Sequence, residues 1–204
     1  VSGKGVLMSW FSTIHTPRLI LREYAGGDAE NREALMRESF GSDDTLERHR
    51  DWLDWTIASY REHGAMSQAP YGDYAVVLRD TGEVVGSVGL VPAGVPWAVL
   101  PAFRLPGEPH HTLVSAEYGL FWATRSAWRG RGIAAEAAHA FTHEFLFGVM
   151  RVCRVIAATE RDNLPSQRVM HKLGMTVYEN PIPEPFWFQV IGVLNHPAIS
   201  GFAG

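Results

Sequence analysis

Arg129-Gly130-Arg131-Gly132 stands between two runs of opposite character. Before it, Leu113–Thr124 reads as a strand. After it, Ile133, Ala137, Phe141 and Phe145 recur at helical spacing, which predicts a helix over 130–147. Here a strand enters a helix through a short glycine-rich turn. Glycines at a helix start let a ligand approach the backbone closely. The first-turn N–H groups and the helix dipole then favour phosphate, and Arg129 and Arg131 add forked cationic donors. The turn lacks the Gly-Lys-Ser/Thr of a phosphate-binding P-loop. It also lacks the third glycine and acidic ribose partner of a dinucleotide fingerprint. Alone, such a turn is a weak signal; most merely allow tight packing of strand against helix.

The rest of the chain alternates in the same manner. Arg18–Tyr24, Tyr74–Arg79, Glu83–Leu90 and Val152–Ala158 are branched or aliphatic runs that predict strands. Met175–Tyr178 and Phe186–Leu194 close the sheet. Asp80-Thr81-Gly82 predicts a hairpin turn. Helices are expected after Asp28, carrying Leu35, Met36 and Phe40, and from Asp44 to Tyr60, with Leu46, Leu53, Ile57 and Tyr60 on one face. A short helix is expected from Pro165, which suits a first turn, to Leu173, with Gly174 ending it.

Composition narrows the class. At 204 residues, 46% of them apolar and 20% charged, the chain suits one globular domain with a full core rather than a disordered segment. Val84–Phe103 is 20 residues without charge, long enough for a bilayer. Pro92, Pro96 and Pro101 would break a helix there, so a strand followed by an apolar loop is expected, with no membrane span. Within the loop, 91–112, Trp97 with Val95, Val99 and Phe103 predicts a lid over a ligand or a subunit contact. Residues 1–12 read as a tail or tag remnant, and 13–204 as the domain. One cysteine, Cys153, excludes an internal disulfide and a multi-cysteine zinc site; placed in an apolar run, it is expected to be a core thiol in a cytoplasmic protein. The net charge of −4 argues against a nucleic-acid partner. Charge is uneven, however. Residues 28–54 hold nine acids and four bases; residues 125–172 hold eight bases and four acids, the region an anion would prefer.

Beyond the glycine turn, the order of motifs resembles the GNAT superfamily of N-acetyltransferases. Its cofactor motif, Gln/Arg-x-x-Gly-x-Gly/Ala, is matched by Arg129, Gly132 and Ala134. Its later Asn-x-x-Ala/Ser and Leu-Gly-Phe are matched by Asn163, Ser166 and Leu173-Gly174-Met175. Thr16-Pro-Arg-Leu-Ile-Leu-Arg22 followed by Asp28, and Ala116-Glu117-Tyr118-Gly119 ahead of Trp128–Glu136, look like the Rim-type branch, which acetylates protein N-termini. The likeness runs from Thr16 to about Leu194.

The resemblance implies a single α/β domain: a mixed, mostly antiparallel, splayed sheet flanked by helices. It implies acetyl-CoA as co-substrate, no metal, and direct attack by a primary amine in a ternary complex. Its pyrophosphate would lie on the N–H groups of Arg131–Ala134 (Arg131, Gly132, Ile133 and Ala134), beside Arg129 and Gly130. The pantetheine would pair with Trp122, Ala123 and Thr124, and an N–H near Phe121 or Trp122 would polarise the thioester. Glu117 is the candidate base, a water chain its rival. Many members carry a Tyr where this chain has Met170, so Ser166 becomes the candidate donor to the departing thiolate, and Asn163 the anchor of the pantetheine or of the turn. The acceptor would be a protein N-terminus or a small amine, and the protein a monomer or homodimer. A non-catalytic acyl-CoA-binding module is the alternative, and an unrelated nucleotide-binding protein a third. His139 and His143, four apart, could hold a metal but lack a third ligand; His110 and His111 beside Glu108 could touch substrate.

Overall fold

Branched aliphatic residues on alternating positions and helical stripes behind glycine and Asx stops give the elements of the computed structural model, which describes residues 11–182 and 184–199. In order these are β1 (Ile14–His15), β2 (Leu19–Glu23), α1 (Ala29–Phe40), α2 (Leu46–Ala65), β3 (Gly72–Leu78), β4 (Val84–Val95), β5 (Ser115–Thr124), α3 (Ile133–Ala140), β6 (Arg154–Thr159), α4 (Leu164–Lys172), β7 (Thr176–Glu179) and β8 (Val190–Asn195). They form two compact units. One holds the chain up to Leu90 together with Phe121–Val149, the other Val91–Leu120 with the chain from Met150 onward.

In the first unit β1, β2, β3 and β4 pair antiparallel in that order. Gly82 turns the β3–β4 hairpin in the left-handed region, at φ 73°, as the Asp80-Thr81-Gly82 spacing predicts. One sheet face buries Ala75, Val77 and Val84 with Tyr24, Ala29 and Leu53 from the α1 and α2 side. On β3, Tyr74 alternates to the other face and stacks among Phe11, Phe141 and Phe145, with ring centroids 4.2–6.1 Å apart. Residues 1–10 of the expected tail lie outside the described residues.

Arg22 grips Asp28 through both guanidinium nitrogens at 2.7 and 2.9 Å, and Asp28 also accepts from the Ala25 N–H at 2.8 Å. Burial alone would raise the Asp28 pKa, but the bonds from Arg22 and Ala25 win and hold it below the usual aspartate value. A depressed folded pKa means stability present above about pH 4, the unfolded aspartate value, and lost as pH falls through the folded one. Asp28→Asn should cost about 2 kcal/mol at pH 7. Its melting temperature should also fall less than that of the wild type between pH 5 and pH 3; parallel declines would contradict this assignment.

In the second unit β5 pairs parallel with β6 at Gly119 and Ile156, and β8 lies antiparallel between β6 and β7. Several assignments depart from expectation here and in the first unit. β4 does not stop at Leu90 but continues to Val95, and Trp97–Val99 and Pro101–Phe103 are single 3-10 turns. Trp97 is no lid: it is 1% exposed, edge-on to Phe188 and tilted on Phe103, with Nε1 donating to the Ala93 carbonyl at 3.0 Å. The expected helix 130–147 is α3 followed by a wider-wound π segment, Phe141–Val149, which keeps Phe141, Phe145 and Leu146 buried. Cys153 is exposed, one residue before β6 begins, and so is not a core thiol. Ile57, expected on one face of α2 with Leu53 and Tyr60, is 37% exposed, while Leu53 and Tyr60 are buried there together with Thr56.

Candidate active site

The glycine turn has the geometry that its residues require. Gly130 and Gly132 sit at φ 75° and 79°, where a Cβ is strained. Gly132 caps α3 with no side-chain acceptor for the first-turn N–H groups. Among the described residues the N–H groups of Ile133 and Ala134 therefore have no side-chain cap, the form that binds phosphate oxygens.

Two clamps fix the turn. Glu136, in the first turn of α3, accepts from Thr16 Oγ1 at 2.6 Å, from the Arg18 N–H at 3.2 Å and from Arg18 Nε at 2.6 Å. Arg18 Nη1 reaches on to the Arg131 carbonyl at 3.0 Å. Burial would raise the Glu136 pKa, but the bonds from Thr16 and Arg18 overcome it and keep the carboxylate charged. On the other side Glu38, near the end of α1, accepts from the Ser126 N–H at 2.6 Å and from Arg125 at 3.1–3.2 Å. The Ser126 N–H is the main cause of its lowered pKa. Arg129 donates to the Thr124 carbonyl at 3.1 Å and the Glu38 carbonyl at 2.7 Å, so its guanidinium braces the turn from behind. Arg131 is exposed and lies 4.7 Å over the Trp128 ring. Ala123 and Thr124 are buried and Trp122 half-buried at the end of β5. The part of Thr16, Arg18, Glu38 and Glu136 is invisible to periodicity; it joins residues 87–120 positions apart.

In the second unit Glu117, on β5, is gripped by Arg154 through both carboxylate oxygens, one bond being very short. Arg154 also lies 4.4 Å over the Phe103 ring. Both oxygens of Glu117 are thus occupied by one guanidinium, which weighs against Glu117 as the base. Asn163 caps α4, its Oδ1 accepting from the Ser166 N–H at 3.2 Å. Ser166 is half-buried, and its hydroxyl makes no hydrogen bond among the described residues. Met170 is fully buried, a core residue. His111 bonds Glu108 at 2.9 Å and accepts from the Leu113 N–H, tying its loop to itself. His139 and His143 stack at 4.3 Å. No group of three possible metal ligands occurs among the described residues, and none of their helices is long and apolar enough to cross a membrane.

Comparison with known proteins agrees with this architecture. The acetyltransferase (GNAT) domain family matches residues 18–176. An uncharacterized N-acetyltransferase of Bacillus subtilis, YnaD, is 40% identical over 166 residues, 79% of this chain and 81% of its own. An Agrobacterium tumefaciens acetyltransferase superposes with a TM-score of 0.63 at 21% identity, covering 91% of this chain and 95% of that one. Mycobacterium smegmatis RimJ in complex with CoA-disulfide does so with a TM-score of 0.57 at 18% identity, covering 89% and 84%. With a matched family domain over most of its length and a relative this similar, the chain belongs to the GNAT family and is an N-acetyltransferase.

Proposed function

We propose that the protein transfers the acetyl group of acetyl-CoA to a primary amine, by direct attack of the amine on the thioester within a ternary complex. The observation that carries this reading is the uncapped start of α3 behind Gly130 and Gly132, held open by Glu136, Thr16 and Arg18. The pyrophosphate rests on the N–H groups from Arg131 to Ala134. Arg131 supplies charge from the surface, and Arg129 and Gly130 hold the loop's shape. Backbone at Trp122, Ala123 and Thr124 pairs with the pantetheine arm, and the N–H of Phe121 or Trp122 polarises the thioester carbonyl. Ser166 donates to the departing thiolate from the turn that Asn163 caps. Glu117, held at both oxygens by Arg154, is not assigned the proton. The acceptor is a protein N-terminus, as the resemblance to the Rim-type branch implies, or a small amine.

Release of free CoA thiol, followed with a panel of 2-phenylethylamine, spermidine and a peptide with a free N-terminus, tests this. Ser166→Ala should lower kcat at least about tenfold with the acetyl-CoA Kd unchanged. Glu117→Gln should cost stability more than kcat. Acetyl-CoA binding with no thiol release on any of these amines would favour the binding-module reading, in which the same loop serves retention of an acyl-CoA alone.

A further inference from the structure

The reading above leaves the amine's proton without a receiver, and the first unit holds a carboxylate that nothing else uses. Asp73 is the second residue of β3 and pairs with Gly89 of β4. A Cβ on Gly89 would come within 3.0 Å of Asp73 Oδ1, so the carboxylate leans across the bare glycine. The next strand is β5. The Arg125 N–H donates to the Val85 carbonyl at 2.9 Å, and Gly86 faces Thr124. A regular antiparallel register continued from there sets Gly89 opposite Phe121, as does the contact of Gly119 with Val91 further on. Phe121 stacks on Phe40 of α1, centroids 6.0 Å apart. Its side chain is therefore on the sheet face that α1 and α2 cover, the face of Asp73. Asp73, Gly89 and Phe121 thus form one row across three strands, about 10 Å from end to end. The bare Gly89 therefore puts no side chain between the carboxylate and the Phe121 backbone.

The surroundings keep that carboxylate functional. From α1, Arg32 lies 3.5 Å over the Trp52 ring and donates to His49 Nδ1 of α2; burial and then Arg32 hold His49 neutral. Arg32 attracts Asp73 without a direct ion pair. Its Nε has no partner, nor has the Tyr24 hydroxyl at the end of β2, which lies near Ser87 without a well-formed bond. Arg32 and Tyr24 are each more than nine-tenths buried. Tyr60 of α2 donates to the Asp73 backbone carbonyl, and Tyr74 is its neighbour on β3. Asp44 and Arg48, acting on Arg32 with opposite sign, lie further out; Ser87, Gly89 and Phe121 on the strand side carry no charge. Two buried donors without partners beside a carboxylate that reaches over a glycine floor are unaccounted for by packing.

We propose that Asp73 is the general base of the transfer. This rests on the acetyltransferase reading. As the amine lone pair forms the C–N bond at the thioester carbonyl carbon, an N–H proton passes to Asp73, directly or through one water. The C–S bond then breaks, its electron pair leaves on the CoA sulfur, the thiolate takes a proton from water, and Asp73 returns its proton to solvent. Arg32 and Tyr24 are positioning residues that set the carboxylate's orientation and charge. The exposed Phe40 ring beside Phe121 suits an amine carried on an apolar group. Burial pushes the Asp73 carboxyl up to about 6, against the pull of Arg32, so the base loses its proton just below neutral pH.

The test is the pH profile of thiol release by the full chain with acetyl-CoA and 2-phenylethylamine, spermidine or an N-terminal peptide as probe. Wild type should show an acid limb with its midpoint near 6. Asp73→Asn should lose at least about 100-fold in kcat and lose that limb, with the acetyl-CoA Kd within threefold of wild type as evidence that the fold is intact. Asp73→Glu, which keeps a carboxylate, should recover part of the rate and the limb. Arg32→Lys should move the midpoint without removing it. Asp73→Asn within threefold of wild-type kcat, or with the limb unmoved, would overturn the assignment and leave the transferase reading standing. A wild type that binds acetyl-CoA but releases no thiol with any probe would overturn the transferase reading, and this assignment with it.

Discussion

Gly132→Trp should weaken acetyl-CoA binding by about 100-fold or more, roughly 2.8 kcal/mol, while the circular dichroism spectrum stays that of the wild type. Two effects add. The residue holds φ 79°, which costs a side-chain-bearing residue about 1–2 kcal/mol. The new side chain also starts where the nearest neighbour is Arg18 Nη2 at 3.5 Å, so an indole must either cover the first-turn N–H groups of α3 or push Arg18 off Glu136. Gly82→Ala separates strain from site. It carries a similar backbone cost at φ 73° in the β3–β4 turn, and should lower the melting temperature while leaving the acetyl-CoA Kd within about twofold. Equal affinity in Gly132→Trp and wild type would remove this turn from the cofactor site.

Trp97→Ala should be the most destabilising single substitution in the second unit, at about 3–5 kcal/mol by urea unfolding. The ring is fully buried in a cluster with Val95, Val99, Leu100, Ile156, Phe188 and Ile191, and truncation also leaves the Ala93 carbonyl without its donor. Trp97→Phe keeps most of the apolar area but not that bond, and should cost about 1–2 kcal/mol. A lid would behave otherwise: its removal would raise the acceptor KM and spare stability. A shift in KM with unchanged unfolding free energy would restore the lid reading and refute the core assignment.

The contrast between these two sites shows what a single sequence reveals. The turn at Gly130–Gly132 is legible because the backbone there demands a residue type, and that demand is local. The β3–β4 hairpin is legible for the same reason, through Gly82. Asn163 as the cap of α4 follows from the affinity of Asx side chains for free N–H groups. Trp97 was not legible. A tryptophan in an aperiodic, proline-rich stretch has no local signal for inside or outside, and what buries it is Phe103 and Phe188, the latter 91 positions away. Cys153 misled because the apolar run that contains it joins the sheet only at Arg154. The π winding after α3 leaves the apolar spacing almost unchanged over two turns, so 3.6-residue periodicity cannot detect it. At the site, Glu117 stood out by its motif, yet its chemistry is decided by Arg154, which only the β5–β6 pairing brings near. Asp73 carries no local signal, since it precedes the expected strand Tyr74–Arg79. The signal that could have raised it is its pairing with Gly89, and register is not readable from one strand alone.

The most direct test of the account is a calorimetric titration of the wild-type protein with acetyl-CoA, and with CoA, ATP and NAD as controls. Acetyl-CoA and CoA are expected to bind with one site per chain and a Kd well below about 1 mM, with ATP and NAD failing to displace them. Absence of heat with either CoA species, or displacement of acetyl-CoA by ATP or NAD at equal concentration, would contradict the assignment of the α3 turn as an acetyl-CoA site.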